Sequence, residues 1–264
     1  MTTMKLENKV VIITGGASGM GEAMCHGFSR EGASVVIVDR DRQGAENVVS
    51  KICSTGGTAI AIEADVTSAE QLQNMSSKAA DTFGQIDILI NNAGARVIRG
   101  FLEHTAKDWN SMLDINLSGP FYCTQAVVPF MAQSSGGSVI NVCSIASYMG
   151  RPNRCAYVAA KSGLLGLTRA MAMDLSAKNI RVNGISPGMI ASPFNQRFAE
   201  GEETGKAWES ENLIGRWGQS DDITGAAIFL ASDESRFITG SDIKVEGGWL
   251  AARSRPGEEV IWED

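Results

Sequence analysis

Short runs of β-branched and aliphatic residues recur along the chain without polar alternation, at Lys9–Thr14, Ser34–Asp39, Thr58–Ala64, Ile86–Ile90, Ser138–Ser144, Ile180–Ser186 and Asp242–Val245. A strand that is apolar on both sides is one buried on both faces of a parallel sheet. Between these runs lie longer segments whose apolar positions return at helical spacing: Glu22–Arg30, Arg42–Ser54, Ser68–Phe83, Asp108–Gln133, a segment through Tyr157 to about Ala177, and Asp221–Leu230. Ser68 with Gln71 three residues later reads as a capping box at one such start. Strand and helix in alternation predict an α/β fold, a doubly wound parallel sheet of about seven strands with helices on both faces. Ligands of such a sheet lie at the carboxyl ends of its strands. Residues 1–248 are expected to form one such unit, with residues 249–264 as a C-terminal extension. That extension reads either as a disordered tail or, through Val260, Ile261 and Trp262 as an apolar anchor, as a segment expected to dock on a neighbouring subunit.

Composition narrows the partners more than the fold. With 264 residues the chain can bury a sizeable core, and 44% apolar and 20% charged residues describe an ordinary globule. A formal charge of −7 disfavours a phosphate-backbone binder or a polybasic anchor, so neither nucleic acid nor membrane is an expected partner. No apolar run reaches the length of a membrane span, and Met1–Lys5 lacks the hydrophobic segment of a secretion signal, which makes a cytoplasmic location the expectation. Cys25, Cys53, Cys123, Cys143 and Cys155 are scattered and odd in number, and only His26 and His104 are present, so free thiols and no metal site are expected.

Candidate chemistry begins where the first strand runs into Gly15-Gly16-Ala17-Ser18-Gly19-Met20-Gly21 and then a helix. Gly15 can take backbone angles closed to other residues, Gly19 removes a side chain from the path of a pyrophosphate, and Gly21 permits close helix-to-strand packing. The helix N-terminus would receive the anion. The second strand ends on Asp39, whose carboxylate suits the hydroxyls of an adenosine ribose and repels a 2′-phosphate, favouring NAD over NADP. Arg40 and Arg42 follow and would offset part of that repulsion. Tyr157 and Lys161, four apart on a helix, share a face. A cation within about 4–6 Å lowers a phenol pKa by roughly 1–3 units, which would make Tyr157 a general acid/base tuned by Lys161. Taken alone, the pair is better read as an amphipathic helix turn with a snorkelling lysine.

Taken together, Thr14-Gly15-x-x-x-Gly19-x-Gly21, Asn91-Asn92-Ala93-Gly94, Ser144, Tyr157-x-x-x-Lys161 and Pro187-Gly188, in this order, resemble the short-chain dehydrogenase/reductase family in its single-domain branch, from about Lys9 to Gly248. The resemblance implies a Rossmann fold, a homotetramer or homodimer, a small-molecule substrate, and Asn116, Ser144, Tyr157 and Lys161 as the catalytic set. Ser147 competes with Ser144, but it lies ten residues before Tyr157 where the family pattern matches the thirteen of Ser144. Implied for the cofactor are Gly15, Ser18, Gly19, Met20, Gly21, Asp39, Arg40, Asp65, Val66, Asn92, Ala93, Gly94, Tyr157, Lys161, Pro187, Gly188, Ile190 and Ser192. Ser192 stands where the family carries a threonine and keeps the hydroxyl. In the family an asparagine like Asn116 opens its helix locally, and a segment like 194–212 forms a lid over the substrate. The function implied is NAD-dependent interconversion of a secondary alcohol and its carbonyl, with Tyr157 handling the proton and Ser144 orienting the oxygen. Two other readings stand beside it: an NADPH-dependent 3-oxoacyl-thioester reductase, and a non-enzymatic dinucleotide sensor. Substrate candidates are Arg96, Ser144, Arg154, Tyr157, Met189 and Arg197. With Arg99 and Arg151 the arginines form a basic rim that suits a sugar, cyclic or anionic hydroxy compound, or that is simply a set of solvated loop side chains.

Overall fold

The computed structural model describes residues 4–199, 201, 208–209 and 211–251. Seven strands form one sheet, β1 (Val10–Thr14), β2 (Ser34–Asp39), β3 (Thr58–Glu63), β4 (Ile88–Asn91), β5 (Gly137–Val142), β6 (Ile180–Pro187) and, last in the chain, β9 (Asp242–Val245). Their spatial order is β3-β2-β1-β4-β5-β6-β9 and every pairing is parallel. A further two-residue pair, β7 (Ile190–Ala191) and β8 (Gly218–Gln219), lies outside that sheet.

Residues of the central strands alternate between two apolar layers, which is why their runs show no polar alternation. Val11, Ile13, Val35 and Ile37 face a layer with Met24, Phe28, Val48 and Ile52 of α1 (Gly19–Arg30) and α2 (Arg42–Ser54). That layer also holds Ala227 and Leu230 of α8 (Thr224–Ala231). Val10, Ile12, Val36 and Val38 face the opposite layer, with Leu72 and Met75 of α3 (Ala69–Phe83) and Val127 and Met131 of α5 (Gly119–Gln133). Helices therefore cover both faces, as the pattern predicts. After β1 the chain winds one way to β2 and β3, and then returns past β1 to β4, β5 and β6. The connections after β1 and β4 part at this reversal and leave a crevice at the carboxyl ends of the strands.

Four local expectations change. The segment 108–133 is not one helix: α4 (Ala106–Leu113) gives way to a π turn at Asp114–Ser118 before α5. β5 ends at Val142, so Ser144 lies beyond the strand and opens a 3₁₀ turn, Ile145–Ser147. The capping box at Ser68 is half made: Ser68 accepts from Gln71 N at 3.4 Å, but Gln71 Oε1 accepts from Asp65 N instead of closing on Ser68. Ile86 and Asp87 precede β4, and the Asp87 carboxylate takes the N–H of Val10 at 2.8 Å, which ties the two central strands. Between β7 and β8 the described residues are 192–199, which include α7 (Gln196–Ala199), 201, 208–209 and 211–217, so the lid expected at 194–212 lies partly outside the described residues, as does the whole anchor expected at Val260, Ile261 and Trp262.

Candidate active site

A cleft of about 330 Å³ follows the carboxyl ends of β1, β2, β4, β5 and β6. One end is built by the turn between β1 and α1. Gly15 has φ 65°, and a Cβ there would stand 2.8 Å from Ala93 Cα, so the turn can close on the β4 loop only with glycine. Asn92 Nδ2 donates to Thr14 O and Gly15 O, both at 3.0 Å, and the Thr14 hydroxyl accepts from Asn92 N and Ala93 N. Thr14 is thus an anchor that the strand pattern did not single out, because a hydroxyl at a strand end carries no periodic signal. Asp39 is fixed by Ala17 N at 3.1 Å and Asp41 N at 3.0 Å. The two arginines beside it are drawn to other carboxylates, Arg40 to Asp65 at 3.6 Å and Arg42 to Glu46 at 2.8 Å. Ser18, Gly19, Met20, Gly21, Asp65 and Val66 line this end with Asp39 and Arg40.

The other end gathers the groups capable of proton chemistry. α6 (Cys155–Leu175) carries Tyr157 and the buried Lys161. Lys161 Nζ donates to Val142 O at 2.7 Å and lies 5.9 Å from the centre of the Tyr157 ring. Burial pulls the Lys161 ammonium down to about 8. Burial also pushes the Tyr157 phenol up, opposed by its hydrogen bond with Ser144 and then by the positive charges of Arg96 and Arg154. The charges lowering it are those of the two arginines, while the Lys161 ammonium, 5.9 Å from the ring centre, is bonded to a strand-end carbonyl. Ser144 Oγ also accepts from Ala146 N, whereas Ser147 Oγ donates to Lys161 O and is absent from the cleft lining. Asn116 is fully buried in the π turn, donating to Ala95 O and Met112 O and accepting from Ala95 N. A Cβ on Gly94 would stand 3.1 Å from Asn116 Oδ1 and 3.9 Å from Lys161 Nζ, so the bare backbone keeps this passage open.

Pro187, Gly188, Met189, Ile190 and Ser192 form the wall opposite, together with Phe194 and Asn195. Asn195, which no motif marked, is buried and bridges Ile190 O and Arg96 Nη1. Of the rim arginines, Arg96, Arg151 and Arg154 line the cleft, each stacked on an aromatic ring: Arg96 on Phe194 at 4.3 Å, Arg151 on Trp208 at 4.2 Å, Arg154 on Phe198 at 5.6 Å. Arg99 does not: it pairs with Asp108 at 3.3 Å outside the cleft. The side chain of Arg197 lies outside the described residues. Among the described residues no cluster of metal-ligating side chains occurs, and no helix is long and apolar enough to cross a membrane.

The cleft combines a glycine turn at the start of α1, the Asp39 carboxylate at the end of β2, and a Ser–Tyr pair next to a buried lysine. Its glycine-lined floor and the donor set at both ends fit a nicotinamide dinucleotide. A family model described as enoyl-(acyl carrier protein) reductase matches residues 15–250. The chain is 36% identical over 248 residues to the 3-oxoacyl-(acyl-carrier-protein) reductase FabG of Thermotoga maritima, covering 93% of this chain and 99% of that protein. It is 35% identical over 251 residues to a cyclopentanol dehydrogenase of Comamonas sp. (strain NCIMB 9872), covering 94% and 99%. A gluconate 5-dehydrogenase from Burkholderia cenocepacia J2315, solved in complex with NADP and tartrate, superposes with a TM-score of 0.91 at 32% identity, over 95% of this chain and 98% of that one.

Proposed function

The chain belongs to the short-chain dehydrogenase/reductase family, oxidoreductases that bind a nicotinamide dinucleotide, and from that premise we propose that it interconverts a secondary alcohol and its carbonyl with NAD, using Tyr157 as general acid/base. The observation that carries this reading is the meeting of Ser144, Tyr157, Lys161 and Asn116 at one end of a cleft whose other end is the glycine turn and Asp39. The turn between β1 and α1, Asp39 and Lys161 would hold NAD, which when bound would supply the acceptor or donor of the hydride. The protein's own part is alignment and proton handling. Ser144 Oγ positions the reacting oxygen beside the Tyr157 hydroxyl. In oxidation Tyr157 Oη takes the alcohol proton, and in reduction it returns one. The charges of Arg96 and Arg154 favour its deprotonated form against the cost of burial. Asn116 holds the β4 loop and α4 together behind the lysine.

Preference for NAD is argued from Asp39, whose carboxylate would meet a 2′-phosphate, while Arg40 and Arg42 face Asp65 and Glu46. Tyr157→Phe is expected to lower turnover about 10²–10⁴-fold with NAD affinity within a few-fold of wild type. Steady-state rates and a binding isotherm check this; near-wild-type turnover would remove Tyr157 from the role. NAD binding without turnover of any secondary alcohol would leave the sensor reading instead. Resemblance to the FabG reductase favours a second reading, NADPH-linked reduction of a 3-oxoacyl thioester. Acetoacetyl-coenzyme A with NADPH as the better pair would establish it over the first.

Assembly as a homotetramer is part of the proposal. Trp109 on α4 and Phe121 and Tyr122 on α5 are exposed, as are Phe101 and Leu102 just before them, an apolar face that a second copy would cover. Light scattering that returns the mass of a single chain would refute this.

A further inference from the structure

At the reacting end of the cleft the lining is one-sided in charge. Among the described lining residues the carboxylates are Asp39 and Asp65, both at the β2–β3 end, whereas Arg96, Arg151, Arg154 and Lys161 stand around Ser144 and Tyr157. Arg96 is committed to the wall, donating to Asn195 Oδ1 at 2.7 Å and Phe194 O at 2.6 Å. Arg151 is held differently. Its guanidinium carbon lies 4.2 Å from the centre of the Trp208 ring and 5.1 Å from that of Trp249, and the two rings are 5.2 Å apart. The stack ties three distant pieces of chain: the loop before α6, the segment before β8 and the turn after β9.

Ring faces hold a guanidinium in place but offer it no hydrogen-bond acceptor, so its in-plane N–H groups remain to be used. The hydrogen bond they make within the described residues is from Nη2 to Met189 Sδ at 3.9 Å, to a weak acceptor. Burial, and then the like charge of Arg154, pull Arg151 down to about 10, with the Glu211 carboxylate acting the other way. A half-buried, aromatic-clamped cation beside a second guanidinium is a place where an added anion relieves repulsion and gains charge-assisted hydrogen bonds.

We propose that Arg151 anchors an anionic group of the substrate, a carboxylate, sulfonate or phosphate, and so positions the reacting carbon at Ser144 and Tyr157. This rests on the oxidoreductase reading for the reacting atoms, while the anion site itself does not depend on turnover. The test uses the full chain with NAD and a panel of secondary hydroxycarboxylates, each paired with its methyl ester. Wild type is expected to favour the acids by about 10–100-fold in kcat/KM, the worth of a paired charge-assisted contact. Arg151→Met should erase that preference through KM for the acids and leave the esters within about 3-fold, with Arg151→Lys retaining part of it. Arg99→Met, outside the cleft, should behave as wild type. Equal losses on acids and esters, or no preference in wild type, would overturn the assignment.

A second measurement needs no turnover. Tryptophan fluorescence is titrated with inorganic sulfate, Trp208 and Trp249 being the two of the five tryptophans that stack on Arg151. A saturable response in wild type, weakened in Arg151→Lys and lost in Arg151→Met, supports the anchor even if no alcohol is oxidised, in which case it is the oxidoreductase reading that fails. Turnover of neutral alcohols with only a linear, unsaturated sulfate response would leave that reading intact and reject the anchor.

Discussion

Lys161 shows how a single side chain can be placed against its own preference. It is almost fully buried, with its ammonium on Val142 O, and burial lowers it from the ordinary lysine value of 10.5 to about 8. The folded state then binds fewer protons than the unfolded state between those two values, so stability from this group is present above pH 10.5 and is lost as pH falls through about 8. Wild type should accordingly gain stability on Lys161→Met as pH rises from about 8 to 10.5. Urea unfolding of both proteins across that range reads it directly, and a difference that stays flat with pH would contradict the placement. The variant's lost hydrogen bond to Val142 O is a constant offset and leaves the slope untouched. Position was legible in the sequence here, since Tyr157 and Lys161 four apart had to share a helix face. Partners were not: Val142, Arg96 and Arg154 come from other segments, and spacing along α6 carries no trace of them.

At the scale of elements, hydrophobic runs located all seven strands of the sheet, because the central strands are buried on both faces and the edge strands β3 and β9, only partly buried, still keep an apolar side. Two features escaped periodicity. β7 and β8 are two residues each, too short to register as a pattern. The π turn at Asp114–Ser118 preserves helical spacing closely enough that 108–133 reads as continuous; only the resemblance implied a break at Asn116. The structure gives the break a cause. Met112 O, the carbonyl that a continuous α-helix would offer to the backbone N–H of residue 116, is taken at 3.0 Å by the Asn116 side chain. The same side chain holds both the N–H and the C=O of Ala95, which pins α4 to the loop after β4. Asn116→Leu keeps the volume and strands those three buried groups, and about 2–3 kcal/mol of stability should go with them. Chemical denaturation with an unchanged m-value is the measurement. A loss below about 0.5 kcal/mol would mean that the turn does not depend on this side chain.

For the whole molecule the reversal of strand order between β1 and β4 is decisive, because it opens the only kind of edge at which an α/β sheet of this type receives a dinucleotide. One end of the cleft hangs on β1 to β3 and the other on β4 to β6, so a ligand along it bridges the two halves of the winding and couples to global unfolding. Binding to the folded state alone stabilises by about 2.7 kcal/mol when the ligand is at a hundred times its dissociation constant. For a chain of this size that is a rise of roughly 5–10 °C in Tm. If the proposed preference for NAD holds, NAD at such a concentration should produce that rise and NADP at the same concentration a clearly smaller one, with the Asp39 carboxylate as the cause. Asp39→Ala tests the cause as well as the effect. Removing the carboxylate also removes the acceptor for Ala17 N and Asp41 N, so the unliganded protein should melt somewhat earlier. Against that lower baseline the NAD shift should shrink and the NADP shift should hold or grow. If the two dinucleotides raise Tm equally in wild type, or if Asp39→Ala reduces both shifts in proportion, the carboxylate shapes the turn between β1 and α1 and does not choose between the cofactors.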